Sequence, residues 1–336
     1  MKLSKIKYLG VLALVVIPLF MLGCSSPQEK KTTNVAEDIK LNSGAILKFE
    51  DGNYKLYNYQ NQKYSPVKNN YSISSYDKSS STYVYTDGGK NYIVRDNKEY
   101  EIKDSNYSSL KLSKGGEYIS YFIDDNGLKL KVFNTNGNKP MEIKSNVSIS
   151  GVLYDWYDSN TLIYYGVSND GVNGLFTYNI KEDKEELLYN IKEGFLAFLK
   201  GTDDNVVFLQ ISLENKKQLI MIDKKSKDIK LLTDKVLELT DIVMNNGNLY
   251  FTGKASNNIN SLYELINNTP KRLVYDFPTV VKIDKGLRVD ENGNIIFIGS
   301  DGGDTAEEQI YTYTQDGSIS AIAKNSTDYV FLEYIN

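Results

Sequence analysis

The stretch Leu112–Ser145, LSKGGEYISYFIDDNGLKLKVFNTNGNKPMEIKS, shows the unit from which most of this chain is built. Its apolar and β-branched residues come in short runs, and Asp, Asn and Gly interrupt them where tight hairpin turns are expected. Together with a short strand at Ser108–Leu112, the stretch predicts a four-stranded meander, which is the blade of a β-propeller. The predicted strands and turns are Tyr118–Ile123, the turn Asp125–Gly127, Leu128–Phe133, the turn Asn136–Gly137 and Met141–Ile143.

Segments of the same type recur along the chain from Gly44 onward. Their spacing is about 35–46 residues, the period of propeller blades, and each is followed by turn residues and an alternating strand. We therefore predict an all-β protein, a propeller of about seven four-stranded blades; an open β-solenoid or a two-sheet sandwich is the alternative. The recurring second strands are Ala45–Phe49, Thr82–Thr86, Tyr118–Ile123, Thr161–Tyr165, Asn205–Ile211, Asn248–Thr252 and Asn294–Ile298.

The two ends of the array indicate how the ring closes. No strand-like sequence precedes Gly44, so the first blade lacks its innermost strand, whereas an extra apolar strand, Asp328–Ile335, follows the last blade. We expect this C-terminal strand to pair into the first blade, because closure removes edges that would otherwise promote aggregation.

The N-terminus has the form of an export signal. Three lysines precede an apolar run, Tyr8–Leu22, and the run ends at Cys24, the only cysteine in the chain. A charged start, a short apolar stretch and a small residue before the cut are typical of a signal peptide. Leu22-Gly23-Cys24 resembles the lipobox of bacterial lipoproteins, which implies lipidation of Cys24; a plain signal peptide with a chance cysteine is the alternative.

This interpretation divides the chain into three parts: a lipoprotein signal peptide at 1–23, a lipidated tether at 24–43 and a propeller domain at 44–336. Removing the first part takes away three lysines and no acid, so the formal charge changes from −4 to −7. An acidic chain without a long basic run is not expected to bind nucleic acid. The Lys-, Asn-, Ile- and Tyr-rich composition is typical of low-GC Gram-positive bacteria and predicts a protein anchored on the outer, extracytoplasmic face of the cell membrane.

The repeated unit resembles the PD40 repeats of TolB-like propellers, which are also found in the propeller domains of prolyl oligopeptidase and dipeptidyl peptidase relatives. Glu117–Tyr121 matches the Lys-Tyr-Ile-Ala-Tyr strand of that repeat, and Asp290–Gly293 with Asn294–Phe297 is the second-best copy. The Pro and Asp of the family's first turn are missing throughout. The resemblance implies a fold, and lipoprotein propellers of this kind serve as scaffolds in envelope complexes.

The composition excludes several enzyme classes. The chain has no histidine, which removes Ser-His-Asp triads, histidine bases and histidine metal ligands, and it has no Gly-x-Ser-x-Gly motif. Paired carboxylates in the propeller channel would still suffice for an enzyme acting on polysaccharide, and this is the alternative function. No cofactor is expected, and the acids clustered at Gly299–Glu308 are interpreted as a solvated loop rather than a Ca²⁺ site, since their spacing does not match an EF-hand.

Loop length offers the best indication of a binding surface. The connection between second and third strands is short in blades one to three but long and polar in the later blades, and such loops are often functional. We predict a binding or scaffold protein that engages an envelope protein, peptide or glycan through this loop face. Tyr154, Trp156 and Tyr157, the densest aromatic group, are expected to pack between blades. The candidate ligand-binding residues are Asn169, Asp170, Asn257, Asn258, Asp301, Asp304 and Glu307.

Overall fold

The chain folds into a seven-bladed β-propeller, as predicted. The computed structural model describes residues 39–68, 71–104, 106–125, 127–137, 139–302 and 307–336, apart from the side chain of Val152. Its strands form seven sheets, one for each blade. The signal peptide, Cys24, most of the tether and Asp304 lie outside the described residues. Among the described segments, there is no helix with the length and hydrophobicity that a bilayer crossing requires.

The strands follow one another in chain order with only short connections. Blades one to three contain β1 Ile46–Glu50, β2 Asn53–Gln60, β3 Lys63–Pro66, β4 Ser72–Asp77, β5 Thr82–Asp87, β6 Lys90–Arg95, β7 Lys98–Ile102, β8 Tyr107–Leu112, β9 Tyr118–Asp124, β10 Leu128–Asn134 and β11 Lys139–Met141. Blades four and five contain β12 Val147–Trp156, β13 Thr161–Ser168, β14 Asn173–Asn179, β15 Lys184–Asn190, β16 Phe195–Gly201, β17 Asn205–Ile211, β18 Lys217–Asp223 and β19 Ile229–Thr233.

Blades six and seven and the C-terminus supply the remaining strands. They are β20 Val236–Asn245, β21 Asn248–Ala255, β22 Asn260–Ile266, β23 Thr269–Arg272, β24 Val280–Val281, β25 Leu287–Val289, β26 Ile295–Ser300, β27 Gln309–Tyr313, β28 Ile319–Ala321, β29 Tyr329–Phe331 and β30 Glu333–Ile335. A short 3-10 helix, Ile283–Lys285, separates β24 from β25, and both of these strands pair with β26. The innermost strand of blade seven is therefore interrupted.

Blade three confirms the unit predicted from the sequence. Strands β8 to β11 form one antiparallel sheet in sequential order, and the β9–β10 hairpin pairs Leu128 with Asp124 and Asn134 with Tyr118. Gly127 in the connecting turn has a φ of 125°, which glycine adopts without steric cost. The predicted second strands are present in all seven blades, as β1, β5, β9, β13, β17, β21 and β26.

The C-terminal segment closes the ring in two places. Strand β29 pairs antiparallel with β1, with Phe331 opposite Ile46, so it is the missing innermost strand of blade one, as predicted. Strand β30 then adds to the inner edge of blade two and runs parallel to β4, with Glu333 opposite Ser75. The sequence analysis assigned the whole segment to blade one and did not predict this second pairing.

Large apolar side chains fill the spaces between neighbouring blades. Tyr154 and Trp156 of blade four pack with Tyr118 and Phe122 of blade three, and the rings of Phe122 and Tyr154 meet edge to face at 5.0 Å. Tyr157 joins the cluster shared with blade five. The aromatic group therefore packs between blades, as expected, and each such buried side chain stabilises the fold by about 1.5–3 kcal/mol.

The packed domain extends N-terminal of the predicted boundary at Gly44. Ile39 and Leu41 are buried in the cluster between blades one and two, and Asn42 donates from its side chain to the Tyr59 carbonyl. The final residues of the predicted tether, 39–43, are thus part of the folded domain. Two apolar residues in a polar stretch are enough to dock this segment, since their burial removes their side chains from water.

Candidate functional site

The alternating direction of the strands gives the propeller two loop faces. Loops between first and second strands open on one side, here called the AB face, and loops between second and third strands open on the other, the BC face, together with the connections between blades. The BC-face loops are short in blades one to three and longer in blades four to seven, as the sequence indicated. They span 51–52, 88–89, 125–127, 169–172, 212–216, 256–259 and 301–308.

The described candidate ligand residues all lie in these longer BC-face loops and are exposed. Several of them also hold their own loops in shape. Asn257 Oδ1 accepts hydrogen bonds from the Tyr263 hydroxyl at 2.8 Å and the Ile259 amide at 3.2 Å, and Asn258 has a positive φ of 56°. Asp301 accepts from the Thr279 amide and the Tyr311 hydroxyl, both at 3.3 Å. Asn169, Asp170 and Glu307 project from the same face.

Glu308 departs from the solvated acidic loop that the sequence predicted at 299–308. It is only 6% exposed, and its carboxylate accepts the Tyr329 amide at 2.9 Å and lies 3.5 Å from Lys285. Glu308 therefore helps to hold the closing strand in blade one. Within the described part of the chain, no group of three or more acidic or cysteine side chains is arranged to hold a metal ion.

The blades that carry the longer loops also expose large apolar side chains on the BC face. Leu213 is 79% exposed and Tyr275 60%, although large apolar residues are usually buried. Some of them stand at the strand ends and others in the loops or in the connection between blades six and seven. This set, here called the BC apolar set, consists of Val167, Phe195, Leu213, Ile259, Tyr275 and Phe277.

A second feature lies along the propeller axis, from the AB-face loops to Thr86, Asn91 and Tyr107 at the BC ends of blades two and three. A cavity of about 2190 Å³ is lined by the innermost strands and by AB-face loops such as Asp158–Ser159, Thr202–Asn205 and Asn245–Gly247. Trp156 and Tyr157 contribute to its wall, whereas the candidate ligand residues of the BC face do not. The sequence analysis considered the channel only as the site of the alternative, polysaccharide-active enzyme and assigned no charged residues to it.

Six charged side chains surround the cavity on neighbouring innermost strands and alternate in sign. We call them the charged belt: Lys111, Asp155, Lys200, Asp241, Arg288 and Glu333. Lys111 Nζ lies 2.9 Å from Asp155 Oδ1, Lys200 pairs with Asp241, and Arg288 Nη1 lies 3.7 Å from Asp241 Oδ2. Each ion pair joins one blade to the next.

The two aspartates also bind backbone amides of the following blade. Asp155 Oδ2 accepts the Gly201 amide and Asp241 Oδ2 accepts the Leu287 amide, each at 2.8 Å. A Cβ atom on Gly201 would lie 2.3 Å from the Trp156 carbonyl oxygen, so this close approach requires glycine. The belt therefore fastens neighbouring blades around the axis as well as lining the cavity.

Glu333 supplies the sixth charge of the belt, and it lies on the C-terminal strand β30, which adds to the inner edge of blade two. In blade two, Ser75 on β4 stands where blades four and six carry Asp155 and Asp241, and β30 places Glu333 beside it. The Ser75 hydroxyl donates to Glu333 Oε2 at 2.9 Å. Arg288 donates to the Leu332 carbonyl at 2.7 and 3.0 Å, which fixes the segment that carries Glu333.

Burial and charge act against each other in the belt. Burial alone would raise the pKa of Asp241, but Lys200, Arg288 and the Leu287 amide outweigh it and hold that pKa below its ordinary value. Burial raises the pKa of Glu333, and the nearby Lys111 only partly opposes this. For Lys111, burial alone would lower the pKa, but the carboxylate of Asp155 outweighs it and the pKa is raised.

Comparison with solved structures shows the same fold. The β-propeller domain of the Trilobed protease from Pyrococcus furiosus is 13% identical, with a TM-score of 0.55 over 85% of this chain and 96% of that one. An oligogalacturonate lyase from Vibrio parahaemolyticus is 10% identical, with a TM-score of 0.52 over 85% of each chain. A prolyl endopeptidase is 14% identical, with a TM-score of 0.56 over 74% of this chain and 42% of that one.

These similarities establish the propeller and nothing finer, because the identities are low. The Pyrococcus furiosus domain is described as having an open velcro topology, whereas here β29 pairs with β1 and closes blade one. No family model matches this chain, and no curated protein does.

Proposed function

We propose that this chain is a lipid-anchored, extracytoplasmic binding protein whose BC face engages a protein of the cell envelope. The carrying observation is that one side of the propeller, over blades four to seven, combines the longest loops with the BC apolar set. Exposed apolar side chains rimmed by polar loops are typical of protein interaction surfaces. The proposal includes membership of the TolB-like class, for which Glu117–Tyr121 and the other PD40-like segments are the support.

Apolar exposure favours a protein partner over a sugar for this face. Phe195, Tyr275 and Phe277 are aromatic residues of the kind that anchor protein interfaces, and interface cores are depleted in charge. The polar candidates, such as Asn169, Asp170 and Glu307, stand in the adjoining loops, where a solvated rim is expected. A protein surface would cover both groups at once.

The attachment of the N-terminal segment leaves the BC face free. Residues 39–43 join the propeller on the AB side, where Asn42 and Ser43 line the axial cavity and Ser43 donates to the Val289 carbonyl. Residues 39–43 therefore lie on the side opposite to the BC apolar set.

Two of the three belt carboxylates, Asp155 and Asp241, favour binding over hydrolysis of polysaccharide because other groups already hold them, which leaves only Glu333 of the belt where hydrolysis needs two carboxyl groups. Glycoside hydrolysis uses one carboxyl group that gives a proton and another that attacks or activates water. Asp155 and Asp241 have their oxygens occupied by lysine or arginine and by backbone amides. These groups serve the packing of the blades, and we do not assign them a catalytic role.

Anchoring is tested by replacing Cys24. The Cys24→Ala variant is expected to remain an unlipidated precursor and to leave the detergent-rich phase in a phase-separation assay, because lipid chains supply the membrane affinity. Ser25→Ala, one residue further on, is the matched control and should partition like wild type. Equal partition of the Cys24→Ala variant and wild type would contradict the lipoprotein assignment.

Partner binding is tested on the BC apolar set. A triple variant, Phe195→Ser, Leu213→Ser and Tyr275→Ser, should lose the protein that crosslinks to wild type on intact cells, since hot spots are few and mainly aromatic. The matched control changes Leu187, Ile229 and Leu231 to serine; these are exposed apolar residues on outer strands of blades four and five. Equal capture by the triple variant, or equal loss in the control, would overturn the assignment. Sedimentation of purified wild type distinguishes a second copy of the chain from another protein.

A further inference from the structure

We propose that the axial cavity is a second binding site, which takes a neutral oligosaccharide and contacts it through the charged belt. The site lies on the axis, none of the BC apolar set lines it, and it rests on separate observations. The belt side chains face a cavity rather than a closed core: Lys111 retains 24% of its side-chain exposure, Lys200 31% and Arg288 19%. They are therefore available to a ligand while still holding their partners.

The pairing within the belt disfavours a charged ligand. The belt carries three cations and three acids, so its formal charge is zero. An anion that bound Lys111 or Lys200 would compete with Asp155 or Asp241, and the displaced carboxylate would remain unpaired in a confined site, which is costly. A cation would meet the same penalty at the lysines. Ligands of either sign must disrupt interactions that also join the blades.

A hydroxyl group fits this arrangement without disrupting it. A hydroxyl both donates and accepts, so one sugar hydroxyl can donate to the Asp155 carboxylate and accept from Lys111 while the ion pair remains intact. Both hydrogen bonds would be assisted by charge and hence stronger than bonds between neutral groups. Among the described residues, Lys111 donates only to Asp155, so two of its three protons remain for a ligand. The belt repeats this donor and acceptor arrangement around the axis, which suits a molecule with many hydroxyls.

The size and walls of the cavity also fit an oligosaccharide. Pockets for single small molecules usually measure about 300–1000 Å³, and 2190 Å³ has room for several sugar rings. The half-buried rings of Tyr107, Phe198 and Tyr334 offer apolar wall for the C–H faces of the sugars. Side chains of the AB-face loops add further hydrogen-bonding groups at the mouth, some neutral, such as Ser79 and Asn246, and others charged, such as Lys114, Asp158 and Glu291.

The fluorescence of the single tryptophan can report binding at this site. Trp156 is the only tryptophan, and it lies in the cavity wall with its indole N–H directed to the Lys111 carbonyl at 3.4 Å. Full-length protein, held in a polyoxyethylene detergent without sugar headgroups, is titrated with maltotetraose and chitotetraose while Trp156 fluorescence is recorded. Tetragalacturonate and a zwitterionic dipeptide are titrated in the same way. We expect a saturable change with a neutral tetramer and none with the charged molecules.

Two further measurements decide whether the belt is responsible. The double variant Lys111→Gln and Asp155→Asn keeps hydrogen-bonding groups but removes both charges, and it should weaken binding about tenfold or more. The control, Lys144→Gln and Asp183→Asn, changes an exposed ion pair outside the cavity and should bind like wild type. If the belt variant does not fold, wild type alone still tests the proposal, because the affinity for a neutral sugar should not change with salt.

Any one of several results would overturn the assignment. Among them are a saturable response only to tetragalacturonate or the dipeptide, an affinity for the neutral tetramer that falls about tenfold as salt rises, and equal weakening in the belt variant and its control. Release of new reducing ends from the tetramer would also overturn it, since the cavity would then be an active site. No response to any of the neutral tetramers would leave the belt as a structural feature only.

Discussion

The AB and BC faces of the propeller hold their polar groups in different ways. On the AB side, the belt side chains are tied to one another and to the backbone of the next blade, as in the contacts of Asp241 with Lys200 and Leu287. On the BC side, exposed apolar side chains such as Leu213 stand among loop residues whose hydrogen bonds mostly remain within their own turns. The difference teaches that charged groups near the axis can join the blades to one another, whereas apolar groups on the BC face contribute little to the framework and stay exposed.

The largest effect is expected from removing the closing strands. Deletion of 327–336 takes away β29 and β30 and the buried side chains of Tyr329, Phe331 and Leu332. At about 1.5–3 kcal/mol for each side chain, the thermal midpoint should fall by more than about 10 °C, or the protein should aggregate through its exposed strand edges. Removal of Asn336 alone, which is exposed, is the control. A truncated protein that stays monomeric with an unchanged midpoint would show that both closing strands are peripheral.

The next effect compares a belt ion pair with a surface ion pair. Lys200→Met removes the lysine that donates to the Asp241 carboxylate and to the Ile242 carbonyl, although Asp241 keeps the Leu287 amide and Arg288 as partners. We expect the free energy of unfolding to fall by about 2–4 kcal/mol. This is near the lower end for a broken buried ion pair, because Lys200 keeps some exposure to the cavity. Lys216→Met breaks a pair with Glu214 in which both side chains are more than 70% exposed, and it should have no measurable effect. Urea unfolding measures both, and equal losses would show that the belt does not join the blades.

A smaller effect is expected from Glu333, and it depends on pH. Burial raises the pKa of this carboxyl above 4.5, its ordinary value, in surroundings formed by Ser75, Lys111, Asp155 and Arg288. A raised folded-state pKa contributes stability that is complete below pH 4.5 and is lost as the pH rises through the folded pKa. The glutamine side chain of Glu333→Gln cannot ionise. The thermal midpoint of this variant should therefore rise relative to that of wild type as the pH increases above 4.5.

Thermal unfolding between pH 4 and pH 8 checks this prediction. Glu291→Gln, which removes one carboxylate from the mouth of the same cavity, accounts for the general effect of losing a negative charge. A difference between Glu333→Gln and wild type that stays constant over the range, or shrinks as the pH rises, would contradict the burial argument.

Local patterns made the fold predictable. Turn residues and alternation are visible within one blade, and the absence of a first strand before Gly44 led directly to the pairing of β29 with β1. Strand β30 is only three residues long and pairs in parallel with a distant strand, which leaves no local signature. The sequence therefore did not predict that Glu333 joins the belt.

The belt was missed because its partners are far apart in the chain. Lys111 and Asp155 are 44 residues apart, and nothing close to either of them indicates an ion pair. A signal does exist in every second blade from three to seven: a cation follows a leucine on the innermost strand in Leu110-Lys111-Leu112, Leu199-Lys200-Gly201 and Leu287-Arg288-Val289. The sequence analysis selected acidic residues that lie close together in the chain. It therefore singled out 299–308 and did not predict that Glu308 is buried.

The most direct test of this account measures both proposed sites on the same set of proteins. Wild type, the triple BC-face variant at Phe195, Leu213 and Tyr275, and the belt variant at Lys111 and Asp155 are each examined for partner crosslinking and for the Trp156 response to a neutral tetrasaccharide. We predict that the BC-face variant loses only the crosslinked partner and the belt variant loses only the response to sugar. Loss of both activities in either variant, with the thermal midpoint unchanged, would contradict the division of the propeller into two independent binding faces.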